Sequence, residues 1–498
     1  MLYWLLRSIS AIALMTIMSQ QALFAQSHSD RAEQTPNVIV IFIDDLGYAD
    51  IGAFGAVGYE TPFLDQMAAD GMVFTDFVTS TAVCSASRAA LLTGCYHRRV
   101  GISGALGPQS RNGLAASEVT IAEMCKTKGY RTACYGKWHL GTASPDFMPL
   151  QQGFDEYYGL PYSNDMWPLH PDTVEFPEGT ARRKRNHPPL PIYEGNEIVD
   201  AEVTAEDQTQ LTTDYTLRAV DFIDRFADEN FFLYVPHSMV HVPLYVSEKF
   251  AGKSDAGMFG DVMMEVDWSV GQIVEAVRRN GIEDNTLIVF TSDNGPWLSY
   301  GDRAGSAAPL REGKGTMWEG GYRVPTIMQW AGQIPAGSRC DELCSTIDLF
   351  PTIAEMIGGE LPAHRIDGHN ILPLMHAREG AVSPHEAYYC YYKGGQLQAV
   401  RDRQWKLVFE HQYRSLNGRE GGTGGSPVNY EQLTAELALY DLKSDVGETT
   451  NVADANPEVV ERLQRHAATA REELGDKLTG QTGSGIRPSG RVTNDHDN

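Results

Sequence analysis

The chain has 498 residues, 42% of them apolar and 21% charged, which suits a globular protein with a large core, split into two domains. It carries 65 Asp and Glu against 40 Lys and Arg, a net charge of −25 that argues against general nucleic-acid binding. An anionic ligand must therefore find locally positive groups against an unfavourable overall field.

Arg7, the apolar run from Ile9 to Met18 and Leu23-Phe24-Ala25 predict an export signal over 1–25. The mature protein is then periplasmic or secreted. The run is short of the about 20 apolar residues that a stable membrane span needs, and no later segment reaches that length. Val38-Ile39-Val40-Ile41-Phe42-Ile43 is a continuous β-branched run ending in Asp44-Asp45, which predicts a strand buried on both faces. Cys84-Ser85-Ala86-Ser87-Arg88 and the apolar residues up to Gly94 predict a short helix with Cys84 in its first turn and Arg88 one turn on, on the same face. The helix N-terminus and Arg88 would both favour an anion there.

Thr120 and Glu123 have capping-box spacing and open a helix that stops near Gly129. A second strand, 131–135, enters Gly136-Lys137-Trp138-His139. Residues 161–206 are rich in Pro, Glu and Arg and lack periodicity, which reads as a functional loop or lid. The run Arg182-Arg183-Lys184-Arg185 within it reads as a solvated loop able to contact a polyanion. An amphipathic helix over 208–227 leads to a third strand, 231–235, followed by His237 and His241. A long helix over 261–279 leads to a fourth, 286–291, followed by Ser292-Asp293-Asn294-Gly295. This alternation predicts an α/β sheet with helices on both faces. Ligands of such sheets bind beyond the strands' C-terminal ends, so four polar clusters and Cys84 converge on one crevice. From about residue 380 the texture changes to short strands at 387–392, 398–401, 405–409 and 437–442, then a helix over 457–474. These predict a small antiparallel sheet with a helix. The glycine-rich stretch 418–425 reads as a mobile loop, and the chain from 481 as a disordered tail.

Asp44, Asp45, Asp293 and Asn294 offer hard oxygen donors suited to Ca²⁺ or Mg²⁺ and not to zinc. Lys137 and His139 alternate around Trp138 and in extended backbone would point one way. Proline on both sides of the His237/His241 pair argues against a helical metal pair there. Lys314 lies between glycines, where backbone can approach a ligand closely, without phosphate-loop spacing.

The Cys84 motif, Asp44-Asp45, Gly136-Lys137-Trp138-His139-Leu140-Gly141, His241-Val242-Pro243, Ser292-Asp293-Asn294-Gly295 and Gly313-Lys314-Gly315-Thr316 resemble, in order, the motifs of type I sulfatases. The chain looks most like the branch containing arylsulfatase A and N-acetylgalactosamine-6-sulfatase. Ala86 stands where many members have proline. The resemblance implies an alkaline-phosphatase-like α/β fold, a large mixed sheet flanked by helices over 36–380, with a smaller C-terminal domain over 381–480. It implies that a formylglycine-generating maturation enzyme oxidises Cys84 to an aldehyde, whose hydrate attacks sulfur. Asp44, Asp45, Asp293, Asn294 and the modified Cys84 would hold calcium, with magnesium the alternative. Lys137 and Lys314 would bind sulfate or the bridging oxygen, and Arg88 would stabilise the charged hydrate. His241 would protonate the leaving alcohol, and His139 would take the proton that expels sulfate. Of the seven cysteines, six would then remain, paired or as buried thiols.

The expected substrate is a sulfated carbohydrate, with His170 and Arg303 as candidate substrate residues. A phosphodiesterase or phosphonate hydrolase of the same superfamily is the enzymatic alternative. The non-catalytic alternative is a sulfated-polysaccharide-binding protein.

Overall fold

The structure is a computed structural model that describes residues 35–171 and 186–492. The expected signal at 1–25 and the basic run at 182–185 lie outside the described residues. No helix among the described residues is long and apolar enough to cross a membrane.

Ten strands form one mixed sheet. They are β1 (Asn37–Ile43), β2 (Met72–Phe74), β3 (Arg131–Tyr135), β4 (Glu156–Gly159), β5 (Ile192–Glu194), β6 (Glu197–Asp200), β7 (Phe231–Pro236), β8 (Thr286–Ser292), β9 (Thr326–Gln329) and β10 (Ser338–Cys340). Their order is β10-β2-β9-β8-β1-β7-β3-β4-β5-β6. The centre, β8-β1-β7-β3-β4, is parallel; β9 and β5 turn each flank antiparallel.

The α-helices of seven or more residues among the described residues are α1 (Pro62–Asp70), α2 (Cys84–Thr93), α3 (Ile121–Thr127), α4 (Leu211–Arg225), α5 (Gly257–Arg279), α6 (Leu349–Ile357) and α7 (Pro457–Leu474). The side chains of β1 explain the layers. Ile39, Ile41 and Ile43 enter one core with α1, α4 and α5, through residues such as Leu64, Phe222 and Val266. Val38, Val40 and Phe42 enter the other with α2, α3 and α6, through Leu91, Ile121 and Phe350. A strand alternates its side chains between faces, so both faces of a central strand must be apolar. The capping box of α3 forms as its spacing predicts: Glu123 N donates to Thr120 Oγ1 (3.1 Å) and Thr120 N to Glu123 Oε2 (2.8 Å).

The C-terminal domain has β11 (Tyr388–Tyr392), β12 (Gln396–Arg401), β13 (Trp405–Val408), a hairpin of β14 (His411–Ser415) and β15 (Glu431–Ala435), and β16 (Ala438–Asp441). Strands β11-β12-β13-β16 form the antiparallel sheet that covers Leu463, Ala467 and Ala470 of α7.

Two expectations need correction. The glycine-rich stretch at 418–425 is packed: Gly422 N donates to Ser299 O (2.9 Å), and Asp302 N to Gly422 O (3.2 Å). The chain after 480 folds back as far as it is described. Gly490 and Arg491 pair with Gly113 and Asn112, and Arg487 holds the buried Glu118 at 2.7 Å. Polar composition suggested a tail there, but a charge partner on the large domain fixes it.

Candidate active site

Strands β1 and β8 run parallel with Ile43 opposite Ser292, so Asp44-Asp45 and Asp293-Asn294 leave the sheet side by side. Asp45 N donates to Asp293 Oδ1 (3.2 Å) and Asn294 Nδ2 to Asp45 Oδ1 (2.7 Å), which locks the two turns together. Asp45 has φ 63°, a left-handed conformation that costs a residue with a side chain on the order of 1 kcal/mol. Gly295 is required by a close approach: a Cβ there would lie 1.9 Å from Gly320 O.

Helix α2 begins at Cys84 and ends on Gly94, in the left-handed cap conformation its sequence predicts. All ten of its residues are buried. Arg88 projects to the ends of the strands. Its Nε and Nη2 donate to Asp293 Oδ2 (3.0 and 2.8 Å), its Nη1 donates to Lys137 O (2.7 Å), and Asp44 Oδ2 lies 3.5 Å away.

Gly136 follows β3 with φ 143°, where a Cβ would lie 2.0 Å from Pro236 O. That approach lets Lys137 N donate to Pro236 O (2.7 Å) and turns the Lys137 side chain under the site. Its Nζ is hydrogen-bonded to Asp44 Oδ2 and donates to Ser163 Oγ (3.1 Å). The extended alternation expected around Trp138 ends at His139, which is left-handed at φ 60°. His139 Nε2 lies 2.9 Å from Leu106 O. A carbonyl only accepts, so Nε2 carries the proton and Nδ1 keeps its lone pair. Nδ1 is buried with no hydrogen-bond partner among the described residues.

His241 Nδ1 donates to Val242 O (2.6 Å) by the same logic, and its Nε2 faces Asp45 Oδ2 at 3.7 Å. His237 packs elsewhere, against Ser269 Oγ (3.2 Å) and Tyr215. Lys314 Nζ donates to Asp45 Oδ1 (2.6 Å).

Donor atoms of Asp44, Cys84 and Asp293 lie within 4.8 Å of one another, as do those of Asp44, Asp45 and His241. The sequence candidates Asp44, Asp45, Cys84, Arg88, Lys137, His139, His241, Asp293, Asn294 and Lys314 thus share one buried centre. Burial opposes the charge on Asp44, but Lys137, His241, Arg88 and Lys314 together hold its carboxyl well below the usual range. Burial and then Asp44 push Asp293 up to about 7 against Arg88. Burial and the neighbouring Lys137 and Arg88 hold His139 well below its ordinary value. Burial and Lys314 lower His241. Burial opposes the charge of Lys314, but Asp45 more than restores it. Burial raises the Cys84 thiol against Lys137 and Lys314.

Buried oxygens are left over. Asp44 Oδ1, Asp45 Oδ2 and Asn294 Oδ1 have no hydrogen-bond donor among the described residues. The Asn294 amide donates to Asp45 Oδ1 and to Gly295 O (2.9 Å), so its carbonyl oxygen is the end left unpaired. An unmet buried oxygen costs about 1–3 kcal/mol. These hard donors, with Asp293 beside them, fit a divalent cation such as Ca²⁺.

Above the centre opens a cleft of roughly 500 Å³. Cys84, His139, His241 and Lys314 reach it, whereas Lys137 and Arg88 lie behind. His170 is buried and Arg303 stands beside Asp302; neither lines the cleft. Sequence reasoning missed Ser163, Trp297, Lys393 and Arg414, which do. Lys393 and Arg414 come from the small domain, and no local motif marks them. All seven cysteines are unbridged buried thiols.

The profile described as Sulfatase matches residues 36–359. The chain belongs to the sulfatase family. It is accordingly a sulfuric ester hydrolase. Two C-terminal profiles, of N-sulphoglucosamine sulphohydrolase and of aryl-sulfatase, match 313–420 and 383–488. Arylsulfatase A of Homo sapiens is 38% identical over 455 residues, 86% of each chain. N-acetylgalactosamine-6-sulfatase of Homo sapiens is 35% identical over 460 residues, covering 87% of this chain and 84% of its own. A crystal structure of a sulfatase from Pseudoalteromonas sp. superposes with a TM-score of 0.77 at 28% identity, covering 90% of this chain and 92% of its own.

Proposed function

We propose that the chain hydrolyses sulfate esters of carbohydrates, with residue 84 as nucleophile after oxidation from cysteine to formylglycine. The N-acetylgalactosamine-6-sulfatase relative, named for a sugar sulfate, supports a carbohydrate substrate. The observation that carries the reading is the set of unpaired buried oxygens on Asp44, Asp45 and Asn294 beside Cys84. Asp44, Asp45, Asp293 and Asn294 would hold Ca²⁺, which when bound supplies positive charge to sulfate oxygens and to the nucleophile. The hydrate of the aldehyde at residue 84 would supply a hydroxyl nucleophile, and collapse of the sulfated hydrate to C=O would release sulfate, an exit that serine lacks.

The remaining work belongs to the chain's own side chains. Lys314 Nζ, at the cleft, binds a sulfate or bridging oxygen while Asp45 keeps it charged. Lys137 and Arg88 balance the carboxylates from behind and bring positive charge to the transferring group. Neutral His139 accepts a proton at Nδ1. His241 donates one from Nε2 to the leaving alcohol, for which that nitrogen must carry the ring's second proton. The domains assigned are a catalytic body over 36–380 and a C-terminal subdomain over 381–480. The export expected from residues 1–25 would deliver the protein outside the cytoplasm, after a maturation enzyme has acted on Cys84.

Turnover of matched sulfate and phosphate esters of one sugar tests the reading. Sulfate release should exceed phosphate release by at least about tenfold in kcat/KM, a difference of about 1.4 kcal/mol. Turnover of phosphate esters alone would overturn it.

A further inference from the structure

The outer wall of the cleft carries cations that the hydrolytic centre does not use. Lys393 sits at the tip of the β11–β12 hairpin, held at φ 49° between Tyr392 and two glycines. It lines the cleft, is exposed, and makes no ion pair among the described residues. Arg414 on β14 also lines the cleft. It lies 4.6 Å from the Tyr430 ring and 5.7 Å from the Trp297 ring, and its Nε and Nη2 donate to Lys314 O (3.1 and 2.5 Å). That acceptor is a neutral carbonyl, so the guanidinium charge is not cancelled by an ion pair among the described residues. Glu312 is the acidic group that feels Arg414, and its carboxylate accepts from Ser415 Oγ (2.6 Å). Asp165 is the carboxylate in the cleft lining. Two cations without an ion-pair partner among the described residues, at a cleft in a chain of net charge −25, make a local exception to the field.

Trp297 sets the spacing. Its ring lies 5.6 Å from the His241 ring and 5.7 Å from the Arg414 guanidinium. The Lys314 ammonium lies over the same ring at 4.8 Å, so Trp297 ties Arg414 to Lys314 and fixes a second cation close to the end of the cleft where Lys314 and His241 stand.

We propose that Lys393 and Arg414 bind a second anionic group, a carboxylate or a second sulfate, carried by the substrate beyond the sulfate that Lys314 binds. The preferred substrate is then a polyanionic glycan and not a singly sulfated neutral sugar. This deepens the sulfatase reading and rests on it. The small domain thereby chooses the substrate while the large domain does the chemistry.

The test is calorimetric binding to full-length protein carrying Cys84→Ala, which keeps ligands from being consumed. Three ligands are compared: a monosulfated neutral hexose, the same hexose with a second sulfate, and the monosulfated hexose joined to a uronic acid. One or both dianionic ligands should bind about 5–10-fold more tightly, by a margin that shrinks as salt rises. The ligand that gains identifies which anion is read. Adding Lys393→Gln should remove most of that margin, and Lys393→Arg should keep it. Lys393 is exposed on a turn, so these changes leave the fold intact; Arg414→Lys is the second variant, because Arg414 also braces Lys314. Equal binding of all three ligands, or an undiminished margin in Lys393→Gln, would overturn the proposal. A preserved margin in a wild-type protein that releases no sulfate would instead count against the sulfatase reading alone.

Discussion

At the junction of the large and small domains, Asp76, Glu319 and Glu448 meet Arg323, Arg401 and Lys406. At the C-terminal edge of the large sheet, Asp44, Asp45 and Asp293 meet Arg88, Lys137 and Lys314. Each cluster has three acids and three bases, and each is buried or nearly so. In the junction every carboxylate oxygen lies within 3.6 Å of a cation or a donor, although Asp76 Oδ1 and Glu448 Oε1 accept no hydrogen bond among the described residues. Arg401 spans Glu319 Oε2 (2.7 Å) and Asp76 Oδ2 (2.6 Å), and Lys406 reaches Glu319 Oε1 (3.1 Å) and Glu448 Oε1 (2.7 Å). Arg323 faces Asp76 Oδ1 at 3.6 Å, and Glu319 N donates to Glu448 Oε2 (2.7 Å). In the active site, Asp44 Oδ1 and Asp45 Oδ2 likewise accept no hydrogen bond among the described residues, and Asp45 Oδ2 faces His241 at 3.7 Å. Burial opposes charge in both places. Each cluster splits its acids: at the junction Arg401, Lys406 and Arg323 hold Glu319 low while burial raises Glu448, and at the site Asp44 is held low while burial and Asp44 push Asp293 up to about 7. Each cluster thus leaves two carboxylate oxygens short of a hydrogen bond; what sets the second apart is the unpaired Asn294 oxygen beside them and the cleft that Cys84, His139, His241 and Lys314 line.

That contrast can be broken by substitution. Cys84→Ala should lower sulfate-ester turnover by at least about 10³-fold while thermal unfolding stays close to wild type. Substantial residual turnover would remove residue 84 from the nucleophile role. Arg401→Met should do the reverse, acting through stability. It strands Asp76 and Glu319 without their shared cation, a change that costs roughly 3–5 kcal/mol and should appear as a large fall in Tm. An unshifted Tm would mean that the junction is not the joint inferred.

The site should also respond to a cation where the junction does not. Calcium at about 100 times its Kd should stabilise the fold by about 2.7 kcal/mol, and a chelator should reverse the gain. Asp44→Ala should abolish the calcium-dependent rise in Tm, because it removes one of the unpaired oxygens. A rise that survives in Asp44→Ala would place the cation elsewhere.

A smaller effect comes from a histidine in neither cluster. Burial lowers His237 to about 4, so the folded chain keeps it neutral where the unfolded chain protonates it. Its contribution to stability is present above about pH 6.5 and is lost as pH falls towards 4, by at most about 1.4 kcal/mol per pH unit. His237→Asn should flatten the fall in Tm between pH 6.5 and 4.5; an unchanged slope would assign the acid limb to other groups.

The centre of the fold was legible because its signals are local. A strand buried on both faces must be apolar throughout, and Val38 to Ile43 has no other reading. Asp44 and Asp293 follow the ends of neighbouring parallel strands, so topology alone brings them together. The flanking strands were harder: β2, β5, β9 and β10 are three or four residues long and too short to show a period. Packing of the 418–425 stretch depends on Ser299 and Asp302, more than a hundred residues away in sequence, and composition does not encode it. Lys393 and Arg414 were missed for the same reason. Each is an ordinary charged residue on a strand or turn until the small domain is set against the cleft.

The account turns on residue 84, and peptide mass spectrometry across it is the most direct test. The protein should be made with a formylglycine-generating enzyme, and its sulfate-ester turnover measured on the same preparation. An active preparation should carry a residue-84 peptide lighter by about 18 Da than the thiol form, the loss that accompanies oxidation of CH₂SH to CHO. An intact thiol at Cys84 throughout an active preparation would contradict the account.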